Sequence, residues 1–178
     1  DLNALNNKTS VAVKVDATAL SGTFADLNKV YVTNKANFTG LGNETVTISD
    51  SVSAAQANTI ALATTAAVTA TVDKATAVAL NAALTDTTVN AYSLTLTDTN
   101  LSSLTNLIAL DGKTTGTIDA SSLLSISETY ANLNKVYGSV SGLGNEAVTI
   151  TDTQSAANVN AFADKTTSAV TATITDGT

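Results

Sequence analysis

Seven short, strand-like segments recur along this chain, and each ends in an aspartate: Asp16, Asp50, Asp73, Asp98, Asp119, Asp152 and Asp176. The steps between these aspartates are 34, 23, 25, 21, 33 and 24 residues. A repeat in this range is typical of solenoids, in which each unit buries its apolar face only against its neighbours. The spacing therefore predicts a stacked scaffold, and it indicates much less about any one molecular activity.

A longer repeat is superimposed on the short one. TFADLNKVY at 23–31 returns as TYANLNKVY at 129–137, and GLGNETVTISD at 40–50 returns as GLGNEAVTITD at 142–152. We expect a single solenoid over residues 1–178, with superrepeats at about 11–113 and 114–178, the second of them incomplete. Because the pattern stops in mid-repeat and the chain has no methionine, we interpret it as an internal piece of a longer repeat protein.

Within each unit the apolar residues first alternate and then change to a helical spacing. Val46 and Ile48 alternate with Thr47 and Ser49, which predicts a strand with one buried side. Beyond the strands, helical stripes are predicted at Leu20, Phe24, Leu27 and Tyr31, and again at Ile126, Tyr130, Leu133 and Tyr137. Strand, turn, helix and return in about 21–34 residues predict an α/β solenoid, with one parallel sheet and the helices on one face.

The longer units carry paired glycines, Gly40 with Gly42 and Gly142 with Gly144. Glycine adopts positive φ without steric cost and lets two backbones approach closely. A phosphate-binding loop places its glycines between a strand and a helix, with a lysine or hydroxyl nearby, whereas these glycines precede a strand. They therefore predict a connection that returns the longer unit to the stack.

The strand-end aspartates have two alternative interpretations. One is capping, because a carboxylate at a helix start accepts hydrogen bonds from unpaired N–H groups and favours the positive end of the helix dipole. The other is calcium, an oxygen-seeking cation that takes roughly six to eight ligands. Its candidates are Asp50, Asp73, Asp98, Asp119 and Asp152. Since each unit supplies one carboxylate and no calcium-binding loop motif is present, we predict no cofactor, with calcium as the alternative.

Alternating threonines are predicted to form two rows of Thr-x-Thr motifs on the helix-free face. They are Thr47, Thr69, Thr71, Thr95, Thr97, Thr115, Thr117, Thr149, Thr151, Thr171 and Thr173. Threonine favours strands and tolerates water, so plain solvent exposure is one explanation. The rows also resemble the ice-binding faces of β-solenoid antifreeze proteins. Contact with other chains of an assembly, or with a polysaccharide that stacks on Tyr92, are the remaining alternatives.

Composition argues against several classes of function. Fifteen acidic residues against eight lysines give a net charge of −7, which predicts no nucleic-acid partner. No apolar run approaches the roughly 18 residues of a membrane span, so we predict no membrane insertion. The chain lacks histidine and cysteine, the usual catalytic bases and nucleophiles, and Glu44 and Glu146 are copies of one repeat position. We therefore predict that the protein is not an enzyme.

Three motifs carry a resemblance: GLGNEAVTITD at 142–152, the T(F/Y)A(D/N)LNKVY segments of both copies, and ALDGKTTGTIDAS at 109–121. Together they resemble the long repeat regions of giant secreted proteins of cyanobacteria and other marine bacteria. The resemblance covers the whole chain and implies an extracellular, cell-surface location. It implies a filament, sheath, surface-layer or adhesin-stalk role, with copies of itself or adjoining repeats of the same protein as partners.

Overall fold

The computed structural model describes residues 1–175, and Asp176, the last predicted strand end, lies outside them. The α-helices in this range are α1 (Leu2–Asn6), α2 (Phe24–Asn28), α3 (Ala54–Ala61), α4 (Ala77–Ala83), α5 (Thr105–Asp111), α6 (Tyr130–Ser139) and α7 (Ala156–Ala163). A π-helical turn at Lys29–Thr33 and a 3-10 turn at Lys35–Asn37 follow α2. None of the helices in residues 1–175 has the length and apolar character that crossing a membrane requires.

The strands are β1 (Val13–Lys14), β2 (Ala19–Gly22), β3 (Phe38–Thr39), β4 (Thr45–Val52), β5 (Val68–Val72), β6 (Ala91–Thr95), β7 (Asn100–Leu101), β8 (Ile118–Asp119), β9 (Ser125–Glu128), β10 (Ala147–Ser155) and β11 (Val170–Thr175). All pairs among these strands are parallel. The molecule is therefore an α/β fold with parallel sheets, as predicted. The prediction of one sheet was wrong, because β1–β3 and β7–β9–β10–β11 form sheets of their own.

The chain divides into two compact units. The first comprises Asp1–Asp73, Ala83–Ser93 and Lys113–Gly116. Its main sheet runs in the order β2, β4, β5 and the first residues of β6. Val46 of β4 lies between Leu20 of β2 and Val68 of β5, and this row continues the apolar side of the sheet. Helices α2 and α3 pack on β4 and β5, so the core lies between the helices and this side of the sheet.

The second unit comprises Lys74–Ala82, Leu94–Gly112 and the chain from Thr117 onward. Its larger sheet has the order β7, β9, β10, β11, and the last two residues of β6 pair with β8. Helices α6 and α7 pack on β10, and α7 also packs on β11. Phe162 of α7 is fully buried, and its ring meets that of Tyr137 edge-on at a centroid distance of 4.8 Å.

The helical stripes were predicted too far upstream. Leu20 and Ile126 lie in strands β2 and β9. The helices begin only after Thr23 and Thr129, which have extended backbones (ψ 156° and 151°) and whose side chains accept from the N–H groups three residues on. These N-caps separate strand from helix. Phe24, as the first residue of α2, is consequently half-buried.

The paired glycines adopt the conformation predicted for them. Gly40 and Gly142 have φ of 84° and 79°, and Gly42 and Gly144 have φ of 117° and 120°. A Cβ atom at Gly40 would also clash with the carbonyl oxygen of Val15. The two GLGNE connections therefore share one backbone shape that other residues rarely adopt.

Candidate interaction face and buried polar clasps

The predicted threonine face is exposed. All eleven threonines at the predicted positions are exposed to solvent. Thr47, for example, lies between the buried residues Val46 (1 % exposed) and Ile48 (4 %). This alternation follows from the pleat of a strand, which sends successive side chains to opposite sides.

The register of the threonine rows differs from the prediction. Thr47 lies beside Thr69, and Thr149 lies beside Thr171, as expected for stacked rows. The row then changes, because Thr69 and Thr71 pair with Ala91 and Ser93 of β6. The predicted partner of Thr69 is Thr95, which lies four residues beyond Ala91 and pairs with Asp119. A shift of an even number of residues keeps the same side chains on each face of the sheet, so Tyr92 and Leu94 stay buried while the threonine row is broken.

Bulges interrupt the face further. The register shifts between Thr47 and Ser51 in β4, and between Ile150 and Gln154 in β10. Bulges bend a strand and increase its twist. The face is therefore a mixed surface of threonine, serine and alanine with local bends. Tyr92, the aromatic residue predicted to stack on sugars, is 1 % exposed and belongs to the core.

Three of the strand-end aspartates cap helices, but not the helices that follow them. The carboxylates of Asp50, Asp98 and Asp152 accept from the backbone N–H groups of Phe24, Ala77 and Tyr130, each at 2.7 Å. The helix concerned lies 21–26 residues upstream in every case. The helices that follow β4 and β10 are instead capped by the side chains of Ser53 and Ser155. The predicted capping is thus found, but between neighbouring repeats.

The two remaining calcium candidates also accept hydrogen bonds. Asp73 accepts from the Ser51 hydroxyl at 2.7 Å, and Asp119 accepts from the N–H of Ser121 at 2.9 Å. Within residues 1–175, no three carboxylate, histidine or cysteine side chains come together as a metal site would require. Calcium at isolated carboxylates remains the alternative to be tested.

A buried carboxylate clasp, found in both copies, was missed by the sequence analysis. Glu44 is completely buried, and its carboxylate accepts from the N–H groups of Gly42 (2.9 Å) and Asn43 (3.1 Å) and from the hydroxyl of Tyr31. Glu146 accepts in the same way from Gly144 (2.9 Å), Asn145 (3.1 Å) and Tyr137. Both the tyrosine and the glutamate recur in the long repeat, which marks each residue but does not indicate that the two are in contact.

Burial and hydrogen bonding act in opposite directions on the pKa of Glu44. Burial alone would raise the pKa of Glu44, but the hydrogen bonds from Tyr31, Gly42 and Asn43 bring that pKa below its ordinary value. Burial, and then the hydrogen bond to Glu44, raise the pKa of the Tyr31 phenol. The Glu44 carboxylate is ionised. Two of its donors, Gly42 and Asn43, belong to the GLGNE connection that precedes β4. The clasp therefore fixes a loop and presents no free group for proton transfer.

Comparisons with known protein families, with curated proteins and with solved structures find no match. The features of this chain that bear on its function are the exposed threonine face, the caps between repeats and the carboxylate clasps.

Proposed function

We propose that this chain is a self-associating structural repeat segment of an extracellular bacterial surface protein, such as a filament, sheath, surface layer or adhesin stalk, with an α/β solenoid as its architecture. The observation that carries the proposal is that the long sequence repeat recurs as a repeat of hydrogen bonds. The carboxylates of Asp50 and Asp152 cap α2 and α6 at the same distance, 2.7 Å.

The recurrence extends to the connections between elements. The hydroxyls of Thr64 and Thr166 donate to the carbonyl oxygens of Glu44 and Glu146, at 2.7 and 2.9 Å. The N–H of Thr65 donates to the carbonyl of Gly42 at 2.8 Å, and Thr167 and Gly144 repeat this bond at 2.7 Å. A chain that reproduces its scaffold bond by bond can be extended by adding copies, which suits a load-bearing or spacing role.

The use of the polar groups also supports a structural role. A catalytic or ligand-binding centre usually concentrates unusual groups at one place in a chain. Here the buried glutamates occur in both copies and are saturated by backbone and tyrosine donors. The absence of cysteine and histidine and the net charge of −7 fit the same proposal, which includes no enzymatic activity. The extracellular location rests on the resemblance to giant secreted repeat proteins.

Two measurements test this proposal. Sedimentation velocity and electron microscopy of the purified chain should show concentration-dependent association into linear particles. Antibodies raised against the chain should label intact cells of the source organism, and external protease should remove the label. A chain that stays monomeric at the highest accessible concentration would contradict self-association, and label only after permeabilisation would contradict the surface location.

The exposed threonines support ice binding as a second candidate. Lateral neighbours such as Thr47 with Thr69 and Thr149 with Thr171 provide short hydroxyl rows at the strand spacing of about 4.8 Å. Thermal hysteresis and ice-crystal shaping should then be lost in Thr149→Lys and kept in Val78→Lys, which places the same charge on an exposed helix position. Absence of hysteresis in the unmodified chain would remove this candidate.

A further inference from the structure

Glu128, the last residue of β9, connects the starts of two helices within the second compact unit. One of its carboxylate oxygens accepts from the backbone N–H of Leu104, the N-cap residue of α5, at 3.1 Å. The other oxygen accepts from the N–H of Thr129, the N-cap residue of α6, at 3.0 Å. A leucine side chain offers no acceptor to its own helix, so the start of α5 depends on a residue of the next repeat.

The first copy of the long repeat does not have this carboxylate. The residue in front of its TFADLNKVY segment, which corresponds to Glu128, is Gly22. The acid of the first copy is Asp26, inside α2, and it accepts from the hydroxyl of Thr23 at the start of the same helix. The counterpart of Asp26 is Asn132, whose side chain hydrogen-bonds to Glu128. The second copy has therefore exchanged a bond within one helix start for a bond between two repeats.

Opposing effects act on the ionisation of Glu128, which is half-buried. The hydrogen bonds from the N–H groups of Thr129 and Leu104 lower the pKa of Glu128, and the negative charge of Asp152 on β10 raises it by less. The pKa of Glu128 consequently lies below its ordinary value. Asp152 is the charged group that faces Glu128, since its partners on α5 and α6 are two backbone N–H groups and a neutral amide.

We propose that Glu128 is an acid-sensitive latch of the second copy, which holds the start of α5 to the start of α6 as a carboxylate and releases it on protonation. A hydrogen bond to a carboxylate is roughly twice as strong as one to a neutral group, so protonation weakens the connection. The residues in front of Leu104, Ser102 and Ser103, are exposed and open with it. The latch lies within one compact unit and does not depend on the proposed self-association.

Hydrogen exchange of the Leu104 amide, followed by NMR, measures the latch directly. Because the pKa of Glu128 is lowered in the folded protein, the bond is fully present above the unfolded pKa of about 4.3 and is lost as pH falls through the folded pKa. The protection factor of Leu104 should be constant down to about pH 4.5 and should fall at least about fivefold towards pH 3. The amide of Val148, which donates to the carbonyl oxygen of Ala169, is the reference for global opening.

Three variants separate the bond from a general effect of charge. Glu128→Gln should lower the protection of Leu104 at least about fivefold at neutral pH and should remove its pH dependence. Asp26→Asn is the matched control, because it removes the same charge from the corresponding helix start in the first copy, and it should leave Leu104 unchanged. Glu128→Asp keeps the charge but shortens the side chain by one carbon, so it should also lower the protection of Leu104.

The possible results decide for or against the latch. Leu104 protection that does not change with pH in the wild type, or that survives in Glu128→Gln, overturns it. Full protection in Glu128→Asp, or an equal loss in Asp26→Asn, also overturns it, because charge alone would then account for the effect. Protection of Val148 that falls over the same pH range as that of Leu104 shows global acid unfolding in place of a local release, which likewise contradicts the latch.

Discussion

Removing the tyrosine hydroxyl from the buried clasp should destabilise the first copy measurably. In Tyr31→Phe the carboxylate of Glu44 loses one of its donors, and Glu44 has no exposed surface through which water could replace it. A hydrogen bond to a charged group contributes about 1.5–3 kcal/mol to stability. We therefore expect a loss of about 2–3 kcal/mol at pH 7, near the upper end of that range. Tyr137→Phe is the corresponding variant in the second copy.

Glu44→Gln extends the test to the acceptor. The amide keeps the shape but offers one acceptor oxygen to the donors Tyr31, Gly42 and Asn43, and its own NH₂ group faces some of them. The cost should be about 3 kcal/mol, from lost bonds and buried groups left without partners. The double variant Tyr31→Phe with Glu44→Gln should lose at least about 0.5 kcal/mol less stability than the two single variants lose in sum, because the two groups share one interaction.

The pH dependence has a defined sign. The folded pKa of Glu44 lies below its ordinary value, so the folded protein binds fewer protons than the unfolded chain in that range. The contribution of Glu44 is fully present above the unfolded pKa of about 4.3 and is lost as pH falls through the folded pKa. Urea unfolding followed by circular dichroism from pH 7 down to 3 should show the stability gap between wild type and Glu44→Gln narrowing in acid. Two results together would refute the role of the clasp. They are a change in the free energy of unfolding below about 0.5 kcal/mol in Tyr31→Phe, and a pH dependence of stability in Glu44→Gln that equals that of the wild type.

Three further predictions concern the core, the caps and metal. Tyr92→Phe should change stability by less than about 0.5 kcal/mol or raise it, because the buried hydroxyl has no hydrogen-bond partner in residues 1–175, whereas Tyr92→Ala should cost about 3–5 kcal/mol in urea unfolding. Asp152→Ala should lower the free energy of unfolding by about 1 kcal/mol, because it removes the cap on Tyr130. The control Asp16→Ala breaks an exposed ion pair with Lys14 and should lower it by about 0.5 kcal/mol or less. Equal losses in the two variants would contradict the capping role. Excess EDTA should leave circular dichroism and the melting temperature unchanged; a fall restored by calcium would make the aspartates ligands.

The alternating pattern of the sequence predicted strands β4, β5 and β10, whereas Leu20 of β2 and Ile126 of β9 were assigned to helices. The alternation around Thr47 follows from the strand pleat alone, and the structure buries Val46 and Ile48 as expected. The positive φ values at Gly40 and Gly142 were likewise predictable, since few residues other than glycine adopt them. Features that depend on a single stretch of backbone can be read from the residues of that stretch.

Features that depend on two distant stretches could not be predicted. The pairing of Thr95 with Asp119 depends on the register between separate strands, and motif spacing within each strand does not specify that register. Leu20 fitted a helical stripe by spacing, but the cap at Thr23 decides that it lies in a strand. The tyrosine–glutamate clasp joins residues that lie 13 apart in one copy and 9 apart in the other, so no fixed spacing marks it.

The caps between repeats set an order of events during synthesis. The acidic groups that complete α2, α4, α5 and α6 lie 26, 21, 24 and 22 residues downstream of the N–H groups they accept from, the one for α5 being Glu128. A helix that leaves the ribosome therefore lacks this cap until the capping residue of the next repeat has been synthesised. At roughly 5–20 residues per second, synthesis of that stretch takes about 1–5 seconds. A break placed just before Asp98 would leave α4 with its first N–H unsatisfied, whereas a break just after Asp98 would not. Boundaries for shortened versions of this protein are therefore better placed after an aspartate than before one.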